Sequence, residues 1–264
     1  MAYVILSRVT CLNQIFLSKF NPKKIYCSLD ARSEIEGLRK RAMKLKNTEW
    51  TITKPGTIKI TSINARSLQQ HFEDLRKDVL INQSDIICVQ ETWLERDLLD
   101  EGNLFKHYYN HGGSKGIALL TKIIPVSTHN FQSPHCSIIK ATYQCYDIIN
   151  VYRFAKDTSI NDFTLEVMSH LDITRIQVVL GDFNINILKS PNNAFTSTLE
   201  EIGFQQLVVT PTHILGGCLD HVYFFSPSHK VSCKHFMSYS VFWSDHSCQA
   251  VLMDITAAME ERSQ

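Results

Sequence analysis

The sequence predicts an α/β sandwich in which polar side chains gather at one rim. Short apolar runs of strand length recur along the chain, with a few amphipathic helical segments between them, which is the pattern of sheets covered by helices. Several of these runs end directly before acidic, amide or imidazole groups, as at Gly181-Asp182-Phe183-Asn184 and Ser244-Asp245-His246. With 264 residues and 44% hydrophobic residues, the chain can bury one large core and carry an appendage.

The first 56 residues differ from the remainder in charge and pattern. Residues 30–47 are predicted to form a helix with one apolar stripe, and residues 51–56, which include Pro55-Gly56, to form the boundary. Residues 1–56 carry a net charge of +7, and residues 57–264 carry −6. The basic residues at 39–46 are therefore either a contact for nucleic-acid phosphates or a solvated helix face.

After the boundary, the pattern alternates between strands and helices. The predicted strands are residues 58–63, 86–89, 116–121, 137–143, 146–152, 176–180, 219–225 and 248–255. The predicted helices are residues 68–81, 161–171 and 194–202. The last of these precedes Gly203, a residue type that typically ends a helix in the left-handed conformation.

The polar residues that follow the apolar runs suit the hydrolysis of a phosphodiester. Such a reaction needs a divalent ion, a base that aligns water and a donor beside the developing charge. Glu91 offers a hard oxygen ligand, and Asp182 and Asn184 are expected to share one face of a strand end. His246 beside Asp245 offers the donor. Each signal has a structural alternative: a glutamate at a helix start, an Asx turn, and a structural histidine.

Cysteine usage and hydropathy place the chain inside the cell. Eight cysteines are scattered without a Cys-x-x-Cys pair, which favours reduced thiols that act as small core residues. No apolar run approaches the length of a membrane-spanning helix. The prediction is an intracellular protein without membrane partners, and the basic stretch at 39–46 is compatible with nuclear import.

Six motifs carry a resemblance when they are taken in order. They are Ser62-Ile63-Asn64, Val89-Gln90-Glu91-Thr92, Asn150-Val151-Tyr152, Gly181-Asp182-Phe183-Asn184, Leu219-Asp220-His221-Val222 and Ser244-Asp245-His246. Together they resemble the endonuclease/exonuclease/phosphatase family across residues 57–257. Pro211-Thr212-His213 followed by Leu219-Asp220 resembles the endonuclease domains of non-LTR retrotransposons and Helitron-type elements. The implied fold is a four-layer α/β sandwich with two packed mixed β-sheets flanked by helices, as in DNase-I-like proteins.

The resemblance implies a metal site and a group that acts on water. Glu91 would bind magnesium and Asn64 would support the same site, with Asp245 as a further ligand and manganese as an alternative ion. Asp182 would align or deprotonate the attacking water, and Asn184 would assist it.

The resemblance also assigns the residues around the phosphate. Tyr152 would contact the scissile phosphate, and His246 would stabilise the phosphoryl transition state after being oriented by Asp220. Thr212 and Asn150 would be secondary contacts to the substrate.

Two departures from the family pattern concern substrate selection. Arg153-Phe154-Ala155 follows Tyr152 where many relatives place a loop that contains proline. The stretch from Asn184 to Asp220 is too short for the inserted hairpin with which some relatives read DNA shape. The hydrolytic centre is unaffected by either departure.

The N-terminal segment carries a second resemblance. Ala2–Thr10 and Asn21–Tyr26 resemble the last conserved part of Pif-family DNA helicases, in which the arginine corresponding to Arg8 reaches a nucleotide phosphate. The chain contains no Gly-x-x-x-x-Gly-Lys-[Ser/Thr] loop, so ATP binding is not expected. Residues 1–50 are therefore predicted to be a helicase-tail remnant with a basic helical linker, and residues 57–257 to be the endonuclease domain.

Three functions remain open from the sequence. The leading one is a magnesium-dependent endonuclease, derived from a mobile element, that nicks one DNA strand and leaves a 3′-hydroxyl. The second keeps the chemistry and changes the substrate to abasic DNA, RNA or a phospholipid. The third is a catalytically silent nucleic-acid-binding remnant. Oligomeric state and target-site preference are not predicted.

Overall fold

Two six-stranded sheets pack face to face and carry helices on their outer sides. The computed structural model describes residues 50, 55–95, 105–110, 113–154, 159–228 and 231–261, and the structural statements below concern these residues. The strands are β1 (Thr57–Asn64), β2 (Ile86–Gln90), β3 (Lys106–Asn110), β4 (Ile117–Thr121), β5 (Ser127–Gln132), β6 (Cys136–Thr142), β7 (Tyr146–Arg153), β8 (Ile176–Asp182), β9 (Gln205–Gln206), β10 (Asp220–Phe225), β11 (Ser232–Ser240) and β12 (Ser247–Asp254). The helices are α1 (Leu68–Lys77), α2 (Val79–Asn82), α3 (Ile160–Met168), α4 (Ala194–Ile202) and α5 (Thr256–Glu261), with a 3₁₀ turn at Gly113–Lys115.

Each sheet contains one parallel pair of strands among antiparallel neighbours. The strand order is β11-β12-β1-β2-β4-β3 in the first sheet and β5-β6-β7-β8-β10-β9 in the second. The parallel pairs are β1 with β2 and β7 with β8. The predicted fold class, two packed mixed sheets with flanking helices, is confirmed.

The alternation of side chains along each inner strand builds two cores. In β2, Ile86 and Cys88 belong to the core that includes both sheets, whereas Ile87 and Val89 pack with Leu68 of α1 on the outer side. Each fully buried aliphatic side chain contributes roughly 2 kcal/mol. A strand buried on both faces reads as an unbroken apolar run, which is why the inner strands were predictable.

The helix predicted over residues 68–81 is interrupted. The helix α1 ends at Lys77, and Asp78 is extended, with ψ 116°. The Asp78 carboxylate accepts the backbone N–H groups of Leu80 and Ile81, both at 3.0 Å, and so begins the short helix α2. Aspartate is a favoured helix N-cap, and this local bond competes with continuation of the helix. Val79, at the start of α2, is therefore 66% exposed although a continuous helix would place it on the same side as Phe72 and Leu75.

The described helices and strands after residue 52 belong to one unit, Thr53–Gln264. The predicted helix at residues 30–47 and the helicase-like segment at residues 1–30 lie outside the described residues. Among the described helices, none is both long enough and apolar enough to cross a membrane. The six described cysteines are free thiols, and five of them are buried.

Candidate active site

Most of the predicted site residues lie at the rim where the two parallel strand pairs have their carboxyl ends. Asn64 ends β1, and Glu91 directly follows the neighbouring strand β2. In the second sheet, Tyr152 of β7, Asp182 of β8 and Asp220 of β10 lie side by side in register. Side chains from both sheets therefore meet at one rim of the sandwich.

Asn64 joins the two sheets at this rim. Its buried side-chain amide donates to Glu91 Oε1 at 3.0 Å and to Asp182 Oδ2 at 2.8 Å. The Tyr152 hydroxyl donates to the same Glu91 oxygen at 2.9 Å. These bonds leave Glu91 Oε2 without a hydrogen-bond partner among the described residues. One carboxylate oxygen is thus held in place, and the other is available to a ligand.

Gly181 allows the close strand approach that places Asp182. Its φ is +141°, and a Cβ atom at this position would overlap the carbonyl oxygen of Val151 on β7. Only glycine fits both the backbone conformation and the contact. The Gly-Asp pair in the sequence is therefore a packing requirement as well as a chemical motif.

Asp220 and His246 form a buried pair. His246 Nδ1 lies 2.9 Å and 3.1 Å from the two Asp220 carboxylate oxygens, and the residues are 7% and 2% exposed, respectively. The backbone N–H of His246 donates to Ser244 Oγ, which in turn donates to the Asn64 carbonyl at 2.7 Å. Because Nδ1 donates to the carboxylate, Nε2 is the ring atom left for a substrate, and it has no hydrogen-bond partner among the described residues.

Asn184 departs from the expected geometry. The strand β8 ends at Asp182, and Asn184 has a left-handed φ of 49°, so the two side chains do not alternate along one strand. The Asn184 backbone N–H instead donates to Asp182 Oδ1 at 3.0 Å, which is an Asx turn. Its side-chain amide donates to the carbonyl of Arg153 at 2.7 Å. Asn184 therefore supports Asp182 through its backbone, and its side-chain amide is bonded to the backbone of β7.

Unusual backbone conformations concentrate around this rim. The described non-glycine residues with positive φ all follow strand ends there: Arg66, Ser67, Glu91, Trp93 and Asn184. A non-glycine residue in this region costs on the order of 1 kcal/mol or more. The surrounding hydrogen bonds maintain these conformations, and the side chains are thereby fixed before any ligand binds.

Two residues expected to contact substrate are instead bonded inside the protein. Asn150 is fully buried, accepts from Gln90 Nε2 at 2.6 Å and donates to a backbone carbonyl of β4 at 2.9 Å. Thr212 is 1% exposed, and its hydroxyl oxygen accepts the Asp220 backbone N–H at 3.0 Å. Asn150 therefore fastens one sheet to the other, and Thr212 positions Asp220. Neither geometry supports a direct contact with substrate.

Asp245 is held by a cation and a histidine. Its Oδ2 atom lies 2.6 Å from Arg66 Nη1 and 3.4 Å from His213 Nε2. His213 Nδ1 accepts the Leu215 backbone N–H at 3.1 Å, so a neutral His213 ring carries its proton on Nε2, the ring atom that lies near Asp245. The other carboxylate atom, Asp245 Oδ1, is buried and accepts no hydrogen bond from the described residues.

Burial and neighbouring charges shift the acid–base properties of the centre. Burial, together with the Asp220 carboxylate, raises the pKa of Asp182 to about 7, although His246 and Asn64 act in the opposite direction. Burial alone would lower the pKa of His246, but Asp220, with Asp182 and Asp245, raises it to about 9. Near neutral pH the centre therefore contains a carboxyl group close to its titration point and a protonated imidazole.

The oxygen donors fit a hard divalent ion. Magnesium prefers carboxylate and water oxygens, and both Glu91 Oε2 and Asp245 Oδ1 lack other partners among the described residues. The Asn64 side chain contacts Glu91, and the Asn64 carbonyl accepts from Ser244, the residue before Asp245. The metal-binding role of Glu91, Asn64 and Asp245 stays a prediction.

Two mixed groups also have potential ligand atoms within 4.8 Å of one another: His213 with Asp245 and His246, and Asp182 with Asp220 and His246. Their internal bonds oppose metal binding. Metal coordination through His213 Nε2 would require a proton on Nδ1, which already accepts a backbone N–H. In the second group, both Asp220 oxygens contact His246. The donors around Glu91 are therefore the better candidate for a hard ion.

Two packed mixed sheets with this rim define a DNase-I-like fold. The chain belongs to the Endonuclease/Exonuclease/phosphatase family, which it matches over residues 61–246. This family comprises hydrolytic nucleases and phosphatases. The comparison with curated proteins gave no match.

Solved structures share the fold at low sequence identity. The 3′ phosphatase NExo from Neisseria, bound to a product DNA hairpin, has 19% identity and a TM-score of 0.58, and the alignment covers 74% of this chain and 98% of that one. The AP endonuclease from Archaeoglobus fulgidus has 17% identity, a TM-score of 0.59 and the same coverage. The endonuclease domain of TRAS1, a telomere-specific non-LTR retrotransposon, has 13% identity and a TM-score of 0.54, with 75% and 98% coverage.

Sequence reasoning missed two residues that the structure brings to the site. Arg66 follows Asn64 by two positions, and its guanidinium is half-exposed beside Asp245. His213 belongs to the Pro211-Thr212-His213 motif, and its contact with Asp245 is not predicted by that motif. The signal for Arg66 was its place directly after a polar strand end. The contact between His213 and Asp245 depends on a bridge between His213 and His246 that no spacing in the sequence indicates.

Proposed function

We propose that the chain is a magnesium-dependent phosphodiesterase that nicks one strand of DNA and leaves a 3′-hydroxyl. The observation that carries this proposal is the buried Asp220–His246 pair next to Asp182, all at the rim where the two sheets meet. A buried base and a buried cationic donor at one point suit in-line attack of water on a phosphate.

Asp182 is the proposed base. Its pKa of about 7 lets it accept a proton from water near neutral pH, and its two oxygens are positioned by Asn64 and by the Asn184 backbone. Asn184 Oδ1 has no hydrogen-bond partner among the described residues and is available to orient the same water.

His246 is the proposed donor to the phosphoryl group. With a pKa of about 9, the ring is protonated at neutral pH, and its Nε2–H is the group that can donate to a phosphate oxygen. Asp220 stabilises this charged form and sets the ring orientation.

Glu91, Asn64 and Asp245 are the proposed metal-site residues, and Tyr152 is proposed to contact the phosphate. A magnesium ion bound there would neutralise phosphate charge and polarise the scissile bond, and manganese is the proposed substitute. Tyr152 also orients Glu91 through its hydroxyl.

DNA is the proposed substrate, and a mobile element the proposed origin, on the basis of the motif resemblance. The same fold occurs in a DNA-bound phosphatase and in a retrotransposon endonuclease. The proposed location is the nucleus, where DNA is available. An abasic-site or RNA phosphodiesterase would use the same site residues. The alternative of a catalytically silent remnant predicts that DNA binds without being cleaved.

Incubation of the chain with supercoiled plasmid, an abasic duplex and single-stranded RNA, with magnesium or with chelator, tests the proposal. We expect magnesium-dependent conversion of plasmid to the nicked form, with ends that a polymerase can extend. Asp182→Asn and His246→Ala should each lower the rate by roughly 10² or more. His129→Ala, an exposed histidine on β5, is the matched control and should cleave like the wild type.

Three results would count against the proposal. Wild-type cleavage rates in both site variants would refute the roles of Asp182 and His246. Undiminished cleavage in chelator would refute the metal requirement. Faster cleavage of abasic DNA or RNA than of plasmid would select the corresponding alternative substrate.

A further inference from the structure

Three apolar side chains at the active-site rim are unusually exposed. Phe242, Leu215 and Ile214 are 89%, 87% and 79% exposed, and no other large apolar side chain among the described residues is as exposed. Single exposed apolar residues are ordinary on protein surfaces. Here the three most exposed ones lie on the two segments that border Asp245 and His246. We call these three residues the apolar rim.

Backbone hydrogen bonds tie the apolar rim to the site. The Ile214 N–H donates to the Asp245 carbonyl at 2.9 Å, and the Ser247 N–H donates to the Thr212 carbonyl at 2.7 Å. A tight turn then closes through Gly216, whose N–H donates to the His213 carbonyl at 2.8 Å and whose φ is +80°. Ile214 and Leu215 therefore stand on a fixed turn beside the site.

Phe242 is held in a similar way by its neighbours. Val241 and Trp243, on either side of it in the chain, are both buried, and Trp243 stacks on His71 of α1. The Phe242 ring is thus presented outward from an anchored backbone, two residues before Ser244.

A cation completes this surface. The Arg66 side chain is 53% exposed, and Nη1 is its only guanidinium nitrogen with a hydrogen-bond partner among the described residues, Asp245 Oδ2. The Asp245 carboxylate thus binds Arg66, and its carbonyl binds Ile214. A cationic group and apolar side chains therefore lie on segments that bond to the same site residue, which suits a polymer with an anionic backbone and apolar bases.

We propose that the apolar rim wedges between stacked bases of DNA next to the scissile phosphate, while Arg66 holds the strand's phosphate. This inference rests on the proposed function, because it takes DNA as the substrate. Insertion of a wedge requires a rigid backbone beneath the apolar side chains, and the hydrogen bonds above supply it. Exposed apolar side chains could also insert into a membrane, but membrane binding would not explain why the apolar rim is hydrogen-bonded to the site residue Asp245.

The wedge gives the site a means of selecting where to cut. Unstacking is easiest at flexible pyrimidine–purine steps and at mismatched or abasic positions. The apolar rim therefore favours these positions by deformability rather than by base-edge recognition. This mode suits a chain whose segment between Asn184 and Asp220 is short.

Fluorescence binding of the full chain to a duplex containing 2-aminopurine, measured in chelator to prevent cleavage, tests the wedge. We expect wild-type binding to raise 2-aminopurine fluorescence at one step. Ile214→Ser combined with Leu215→Ser, and separately Phe242→Ser, should abolish this rise and weaken binding at least tenfold. Neither of these variants should change the slope of the logarithm of DNA affinity against the logarithm of salt concentration. Arg66→Gln should reduce that slope by about 1 because one phosphate contact is lost.

Ile124→Ser is the matched control, since Ile124 is 70% exposed and follows the end of β4 away from the active-site rim. It should bind and unstack DNA like the wild type. Unchanged affinity and fluorescence in both rim variants would overturn the wedge. The wedge would also be overturned if the wild type co-sedimented with phosphatidylcholine–phosphatidylserine vesicles and the rim variants did not. That result would assign the apolar rim to membrane binding. A wild type that unstacks DNA but cleaves no substrate with magnesium would instead refute the proposed function and retain the wedge.

Discussion

Replacing Asp182 with asparagine should lower the nicking rate by roughly 10² or more and stabilise the metal-free protein at alkaline pH. Asp182 is 1% exposed, and burial raises its pKa from an ordinary value of 3.8 to about 7. The raised pKa means that the folded state favours the neutral carboxyl. Its contribution to stability is therefore fully present below pH 3.8 and is lost as the pH rises to about 7.

The size of the effect follows from the pKa. Ionisation of Asp182 in the folded protein costs up to about 4 kcal/mol, of which about 3 kcal/mol develops between pH 5 and pH 8. Asparagine carries no such charge. Its amide can place a donor opposite the Asn64 amide, now 2.8 Å from the carboxylate, at a cost of about 1 kcal/mol at every pH. The variant should therefore gain about 3 kcal/mol at pH 8.

Urea denaturation in chelator at pH 5 and pH 8 measures the difference. Asp182→Asn should become more stable relative to the wild type by about 3 kcal/mol between these two pH values. Glu201→Gln, an exposed carboxylate on α4, is the control and should show no comparable change. If the free energy of unfolding differed between Asp182→Asn and the wild type by the same amount at both pH values, the conclusion that burial raises the pKa of the Asp182 carboxyl would be refuted.

Three further predictions concern the same rim. The nicking rate should increase as the pH rises to about 7 and decline above about 9, because Asp182 must be ionised and His246 must be protonated. Asp220→Asn should move the declining limb of this pH profile to lower pH. An unmoved limb would contradict the pairing of Asp220 with His246. Glu91→Gln should raise the magnesium concentration for half-maximal nicking by about tenfold or more, which a metal titration checks. Gln90→Ala should lower the free energy of unfolding by about 2 kcal/mol because Asn150 loses its buried partner, and an unchanged urea midpoint would contradict this.

The inner part of the fold was predictable because its strands are buried on both faces. Four strands were not predicted, and each forms an edge of a sheet: β3, β5, β9 and β11. An edge strand has one neighbour and can expose its side chains, as Ser127–Gln132 does along most of its length. Its sequence is then polar and shows no apolar run. The sequence therefore predicts the strands whose burial requires apolar residues, and it does not predict the exposed edge strands.

The same limit applies to the site. Asp182, Asp220 and His246 were predicted to work together, and the structure brings them together because their strands end at one rim. The orientations of Asn184 and Thr212 were not predictable from strand alternation. The orientation of Asn184 depends on a left-handed backbone conformation after its strand. The orientation of Thr212 depends on how its loop packs against Asp220. Such turns are set by tertiary contacts rather than by local periodicity.

The pairing of β1 with β12 has a consequence for synthesis of the chain. These strands lie side by side in the first sheet, although almost the whole domain separates Thr57–Asn64 from Ser247–Asp254 in the sequence. During translation β1 lacks this partner until the last strand emerges, and His246 arrives only with that strand. A nascent chain that has not reached β12 therefore lacks both this strand pairing and the pair of His246 with Asp220. A chain truncated after Ser240 should accordingly neither nick plasmid nor unfold cooperatively.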